Sequence, residues 1–204
     1  MTTIDDAIHR RISANHFNAE RPVSDDMIAE LVQLATKAPS AFNLQNWKFI
    51  AVRSVGAKSR LLPLAYGQQK VTEAAVTFIV CGTLEPHLTL AKSLHPSLEK
   101  GLLDQATYDG WTGAADSMYR NNPQLQRDEA IRSASLAAMT LMYAAIERGL
   151  VSGPMIGFDP RGVAQEFGLL ETDVPVMLVT VGYPAPGNWP QKPRRPVSDV
   201  LFFN

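Results

Sequence analysis

The chain has a single cysteine, Cys81, among its 204 residues. That excludes an intrachain disulfide and any cysteine-rich zinc or iron–sulfur site. Cys81 lies in VTFIVCG, a run that predicts a buried strand and an inert core thiol, because reactive thiolates need an electropositive, partly open setting. Charge is also scarce: 19% of residues are charged, against roughly 25% in ordinary soluble domains. The 19 Lys and Arg balance 20 Asp and Glu to a formal −1, which removes the electrostatic case for a nucleic-acid or anionic-membrane partner. Few charges on a chain of ordinary apolar content suggest surface hidden in an oligomer.

Several motifs are missing as well. No run reaches the ~18 unbroken apolar residues of a membrane span, and MTTIDDAIHRR has no charged-then-apolar secretion pattern. A cytoplasmic, unprocessed protein is expected. GxGxxG, the Walker lysine loop, GxSxG and HExxH are all absent, so P-loop and common hydrolase chemistries fall away. The four histidines, at 9, 16, 87 and 95, lack metal-type spacing, and no metal site is predicted. Any catalysis would draw its reactivity from a bound organic cofactor.

What is present reads as one α+β domain over 1–204, without repeats or low-complexity tracts. Thr3 opens a first helix with Ile4, Ala7, Ile8 and Ile12 at helical spacing, running through Arg10 and Arg11. Ser24, Asp25 and Asp26 start a second, expected to end at Ala38 before Pro39. WKFIAVR and AAVTFIVCG read as short buried strands, with partial helix between Val55 and Thr72. From Glu85 to Gln126, prolines at 86, 96 and 123 and glycines at 101, 110 and 113 suggest short helices and loops. RDEAIRSASLAAMTLMYAAIERG predicts a long helix buried on several sides and closed by Gly149. VSGPMIGFDPRG reads as a loop, Val163 to Phe167 as a short helix, and VPVMLVTVG as a strand. The proline- and base-rich tail NWPQKPRRPVSDVLFFN reads as an extended arm lying on another surface.

Three separated clusters carry ligand chemistry. In RRISANHF, Arg11, Ser13 and Asn15 offer a fork donor, a hydroxyl and an amide, or simply a solvated helix terminus. In APSAFNLQNW, Ser40, Asn43 and Gln45 sit beside Phe42 and Trp47, a mixture suited to the edge and face of a planar heterocycle or to an ordinary turn. KPRRP sets Lys192, Arg194 and Arg195 between prolines, as an oxyanion clamp or a solvated tail.

Read in order with the lysine of YGQQKVTEAAV, the alanine-rich helix ending in a Gly-Leu pair, PMIGFDP and the strand end VGYP, these stretches resemble the FMN-dependent nitroreductase family over almost the whole chain. The resemblance implies a central, mostly antiparallel sheet flanked by helices. It also implies an intertwined homodimer with its C-terminal arm exchanged onto the partner and active sites at the interface. Arg11, Ile12 and Ser13 fall where the family contacts the FMN phosphate arm. Lys192 and Arg194 would complete the phosphate site, with Arg195 as the substitute if the register shifts by one. Asn15 and Lys70 fall at the pyrimidine edge of the flavin, where Lys70 is the catalytic candidate as a polarising charge. Pro39, Ser40, Asn43 and Gln45 would reach the flavin from the partner subunit. Pro154, Ile156 and Gly157 belong to the loop whose backbone amide faces the flavin N5 atom.

The implied activity is ping-pong hydride transfer from NADPH or NADH through FMN to a small acceptor such as a nitroaromatic or quinone. Dehalogenation, flavin breakdown and flavin storage are the alternatives within reach of the same site. Phe42, Tyr108 and Trp111 are candidates for stacking on the acceptor, or for ordinary packing. Asn15 stands where many members carry Arg or Lys, Asn46 replaces a common proline, and Ile12 sits where a polar residue is frequent.

Overall fold

A computed structural model describes residues 3–204. Four strands, β1 (Trp47–Val52), β2 (Val76–Thr83), β3 (Val151–Met155) and β4 (Asp173–Gly182), form one sheet in the order β1-β2-β4-β3, every pair antiparallel. Among the described residues eight α-helices surround it: α1 (Ile4–Arg10), α2 (Asp25–Ala35), α3 (Val55–Leu64), α4 (Lys70–Glu73), α5 (Pro86–Glu99), α6 (Gln105–Tyr119), α7 (Pro123–Glu147) and α8 (Pro160–Glu166). This is the α+β architecture with a helix-flanked antiparallel sheet. Among the described residues no helix is long and apolar enough to cross a membrane.

The sheet is covered on both faces, so β2 reads as a continuous apolar run rather than an alternating one. Phe78 and Val80 of β2 pack with Val179 and Val181 of β4 against α2 and α7. Their neighbours Ile79, Cys81 and Leu178 point the other way, into Leu61, Val71, Phe158 and Val163, as a two-residue period requires. Burial, with Asp173 nearby, pushes the Cys81 thiol up to about 12, so it stays protonated and inert. Helix α7 lies hard on the sheet: a methyl at Gly82 would come within 2.2 Å of the Ala130 carbonyl oxygen.

Several boundaries differ from the sequence-based expectation. Helix α1 stops at Arg10, and of its apolar residues only Ala7 is buried; Ile4 and Ile8 face solvent. Helix α2 ends at Ala35, three residues short of Ala38, because the chain tightens into a turn at Thr36 and Lys37. Helix α7 begins one turn early, with Asn122 capping and Pro123 in the first turn, where a missing N–H costs nothing. Strand β1 is an edge strand and mostly half-buried.

Two corrections are larger. Residues 86–119 form two long helices, α5 and α6, rather than short pieces. Pro86 occupies the first turn of α5, while Gly110 and Gly113 lie on exposed positions of α6, where nothing presses on them. The supposed loop VSGPM is strand β3. Being an edge strand, it tolerates Pro154, which no central strand would.

Candidate functional site

The site begins where α1 ends. Arg11 leaves the helix in extended conformation, and the following residues run beside β3: Ser13 bridges Ser152 in parallel, and the Ala14 amide donates to the Ser152 carbonyl at 2.9 Å. The approach requires glycine at 153. A methyl there would lie 2.4 Å from the Ala14 carbonyl oxygen and 2.6 Å from Thr180 Oγ1. β3 thus fixes the height of Arg11, Ser13 and Asn15 above the sheet.

The tail returns to the same segment. Phe17 bridges Pro184, and the Asn18 amide donates to the Tyr183 carbonyl at 2.9 Å. Asn188 then acts as a staple. Its Oδ1 accepts from the amides of Asn15 at 2.7 Å and His16 at 3.0 Å, and its Nδ2 donates to the carbonyls of His16 and Ala185. Three residues on, Gln191 Nε2 donates to the carbonyls of Ile8 at 3.1 Å and Arg11 at 3.0 Å.

These contacts bring the first and third sequence clusters together across about 180 residues of chain. Arg11, Ile12, Ser13, Lys192 and Arg194 line one cavity of about 170 Å³, with Trp189 and Gln191 in its wall. Arg195 does not line it. The Lys192 ammonium lies 4.8 Å from the centre of the Trp189 ring, within cation–π range.

Lys70, at the start of α4, opens a second recess of about 210 Å³ shared with Asn15, His16, Gln68 and Glu73. Its ammonium donates to Asn15 Oδ1 at 3.4 Å, and burial holds its pKa below the ordinary lysine value. Gln68 Nε2 donates to the Gly157 carbonyl at 2.7 Å, which ties the loop after β3 to this recess. Ile156 precedes it with its side chain exposed, and Pro154 lies within β3. Asn15 thus belongs to the Lys70 recess while its own amide is held by Asn188. Among the described residues, no carboxylate lies within 4 Å of the cationic groups of Arg11, Lys70, Lys192 or Arg194. Four uncompensated cations around two recesses suit an anionic ligand.

The second sequence cluster stands apart. Pro39, Ser40, Asn43 and Gln45 line neither recess. Their turn is strained: Phe42, Asn43 and Gln45 adopt φ of 51°, 59° and 52°, each left-handed and costing roughly 1–3 kcal/mol for a non-glycine residue. The Gln45 amide donates to Ser40 Oγ at 3.0 Å, which helps to hold the turn. Asn43 and Gln45 are exposed. Phe42 meets Trp111 edge-on at 6.2 Å and packs with Tyr108 against the α5–α6 pair; the Tyr108 hydroxyl donates to the Ala91 carbonyl. The three aromatics therefore do converge.

Asn188, Gln191, Gln68 and Gly153 were not singled out in the sequence. NWPQ directly before KPRRP was the available signal for the first two, since amides beside a basic tail are suited to fixing it. A larger cavity, about 620 Å³, lies elsewhere, at the start of β4. Its buried acid, Asp173, is taken up by the Lys48 ammonium at 2.5 Å and the Leu170 amide at 2.9 Å.

The Nitroreductase family profile matches residues 8–183. YodC of Bacillus subtilis, a candidate NAD(P)H nitroreductase, is 34% identical over 182 residues, 89% of this chain and 90% of YodC. Among solved structures, the candidate nitroreductase ydfN of Bacillus subtilis superposes with a TM-score of 0.92 at 32% identity, covering 98% of both chains. A candidate nitroreductase of Exiguobacterium sibiricum, solved in complex with FMN, gives 0.92 at 28% identity over 100% of this chain and 98% of its own. A profile that spans most of the chain, and relatives matched nearly end to end, put this chain in the nitroreductase family.

Proposed function

We infer that this chain is an FMN-dependent oxidoreductase, passing hydride from NADPH or NADH to a small acceptor such as a nitroaromatic or quinone. The observation that carries the reading is the convergence of Arg11, Lys192 and Arg194 on one cavity with Lys70 and Asn15 in a second, none of the four cations being paired with a carboxylate among the described residues. The donor set fits FMN. Two guanidinium groups and an ammonium match a phosphate dianion, and the Ser13 hydroxyl adds a neutral donor. An ammonium beside a side-chain amide matches the carbonyls and ring nitrogens of a pyrimidine edge.

When bound, FMN supplies the hydride-accepting ring. The protein supplies position and field. Arg11, Lys192 and Arg194 would hold the phosphate end, Asn15 would orient the pyrimidine edge, and Lys70 would place a positive charge where electron density accumulates on reduction. Gln68, by holding the Gly157 carbonyl, would set how closely the 156–157 backbone approaches the ring.

The acceptor side would be completed by a second copy. The strained turn at 39–45 presents Asn43 and Gln45 to solvent, away from the chain's own recesses. Val197, Phe202 and Phe203 are exposed at 67%, 78% and 89%, as are Ile131 and Leu136 on α7. Apolar surface of this kind, on a chain with few charges, favours an obligate homodimer that exchanges the arm and brings Pro39, Ser40, Asn43 and Gln45 to the partner's flavin. Phe42, Tyr108 and Trp111 would then border the acceptor.

The purified protein is expected to be a yellow dimer, bleached anaerobically by NADPH or NADH and recoloured by a nitroaromatic or quinone. A yellow protein inert to both nucleotides would favour flavin storage instead. A colourless protein that cannot be reconstituted with FMN would overturn the reading.

Lys70 adds a pH test. Burial lowers its pKa in the free protein, whereas the electron-rich edge of a flavin favours the ammonium and raises it. FMN affinity should therefore be flat at low pH and fall as pH rises from the free-state pKa to the bound-state one. In Lys70→Met that dependence should vanish, at a cost of about 1.5 kcal/mol in binding. A flavin fluorescence titration across pH reads both; an unchanged profile would remove Lys70 from the site.

A further inference from the structure

We propose that Gln191 is a positioning residue that hangs the cationic tail on the C-terminus of α1 and so sets the preference for phosphorylated over unphosphorylated flavin. The inference rests on FMN binding at this site.

Residues 189–204 are all exposed. Among the described residues, the hydrogen bonds that join this stretch to the rest of the chain are the two donated by Gln191 Nε2, to the carbonyls of Ile8 and Arg11. The other polar contacts of the tail are internal: an Arg194 guanidinium nitrogen donates to the Lys192 carbonyl at 2.5 Å, and Lys192 rests over Trp189. Lys192 and Arg194 thus reach the cavity on a segment anchored upstream by Asn188 and at the cavity by one side-chain amide.

The anchor is well placed. Carbonyls at the end of a helix lack intrahelical donors and carry the negative end of its dipole. The Gln191 amide satisfies two of them, including that of Arg11, whose own guanidinium lines the same cavity. One side chain therefore sets the spacing between the two halves of the cationic cluster. Without it, Lys192 and Arg194 keep their charge but lose their position, and ordering them again must come out of the binding energy. Only a ligand that uses those cations feels the loss. FMN carries the phosphate; riboflavin does not.

The test compares both flavins in wild-type protein, Gln191→Ala and Gln191→Glu by fluorescence titration of the apoprotein. The glutamate keeps the shape but removes both donors and sets a carboxylate against two carbonyls. FMN affinity should fall about tenfold in the alanine variant and at least as far in the glutamate variant, while riboflavin affinity stays within about twofold. Trypsin supplies an independent readout. Arg194 is followed by Arg195, whereas Lys192 and Arg195 precede prolines, so the tail has one cleavable bond. Cleavage after Arg194, followed by intact mass, should be faster in both variants, and FMN should slow it in the wild type more than riboflavin does. Equal losses for both flavins, or an unchanged FMN-to-riboflavin ratio, would overturn the inference. A wild type that binds neither flavin would instead remove the FMN reading beneath it.

Discussion

Replacing Gly153 by alanine is expected to lower the melting temperature and abolish retention of FMN together. The added methyl would sit 2.4 Å from the Ala14 carbonyl oxygen and 2.6 Å from Thr180 Oγ1. Carbon atoms do not approach so closely, so the segment carrying Ala14 must move by at least about 0.6 Å or β3 must leave β4. Thr180 cannot yield freely, because it is buried in the central strand β4 and donates to the Gly153 carbonyl at 3.1 Å. Overpacking of this kind costs roughly 3 kcal/mol, or about 6–12 °C for a domain of this size. The displaced segment holds Arg11, Ser13 and Asn15, and through Gln191 and Asn188 it also holds the tail. Both recesses should lose their geometry at once.

The control is Gly113→Ala. Gly113 lies within α6 with nothing within 4 Å of the added methyl, so that change should stabilise the helix by roughly 0.5–1 kcal/mol and leave the flavin in place. Thermal melting and the flavin-to-protein absorbance ratio read both outcomes. Gly153→Ala that melts normally and stays yellow would show that the segment is not seated on β3.

The contrast between these glycines shows why some of the site was legible in sequence and some was not. Capped, periodic elements could be read directly. Ser24 with two acids behind it starts α2, and the alanine-rich run of α7 could only be a helix buried on several sides. Breakers misled where their environment made them harmless: Pro154 on an edge strand, Pro86 in a first turn, Gly110 and Gly113 on the outside of α6. Gly153 looked like one more loop glycine, although its meaning lies in what Ala14 does 139 positions away. Arg11 and Lys192 were legible as chemistry but not as neighbours; only the family resemblance joined them. Asn188 and Gln191 carry no periodicity and are uncharged, so nothing local separates them from solvent-facing amides. The turn at 39–45 was legible as polar and aromatic, but its three left-handed residues are a property of the folded backbone.

The largest effect on binding alone is expected from Lys192→Ala combined with Arg194→Ala. Each charged contact to a phosphate contributes roughly 1.5–3 kcal/mol, so the pair should cost roughly 3–6 kcal/mol of FMN affinity, with the sum an upper bound because the two residues share one ligand. Riboflavin affinity should hardly change, and the salt dependence of FMN binding should flatten, since fewer fixed charges face the phosphate. Arg195→Ala should have little effect, because Arg195 does not line the cavity. That comparison fixes the register of the tail: if Arg195→Ala weakens FMN and the double variant does not, the basic run is shifted by one residue relative to this structure. If neither does, the phosphate lies elsewhere and the four free cations have another ligand. The stability of both variants should match the wild type, since 192–195 are exposed and pair with no carboxylate among the described residues. A selective loss of FMN in a normally folded protein would therefore report on the clamp itself.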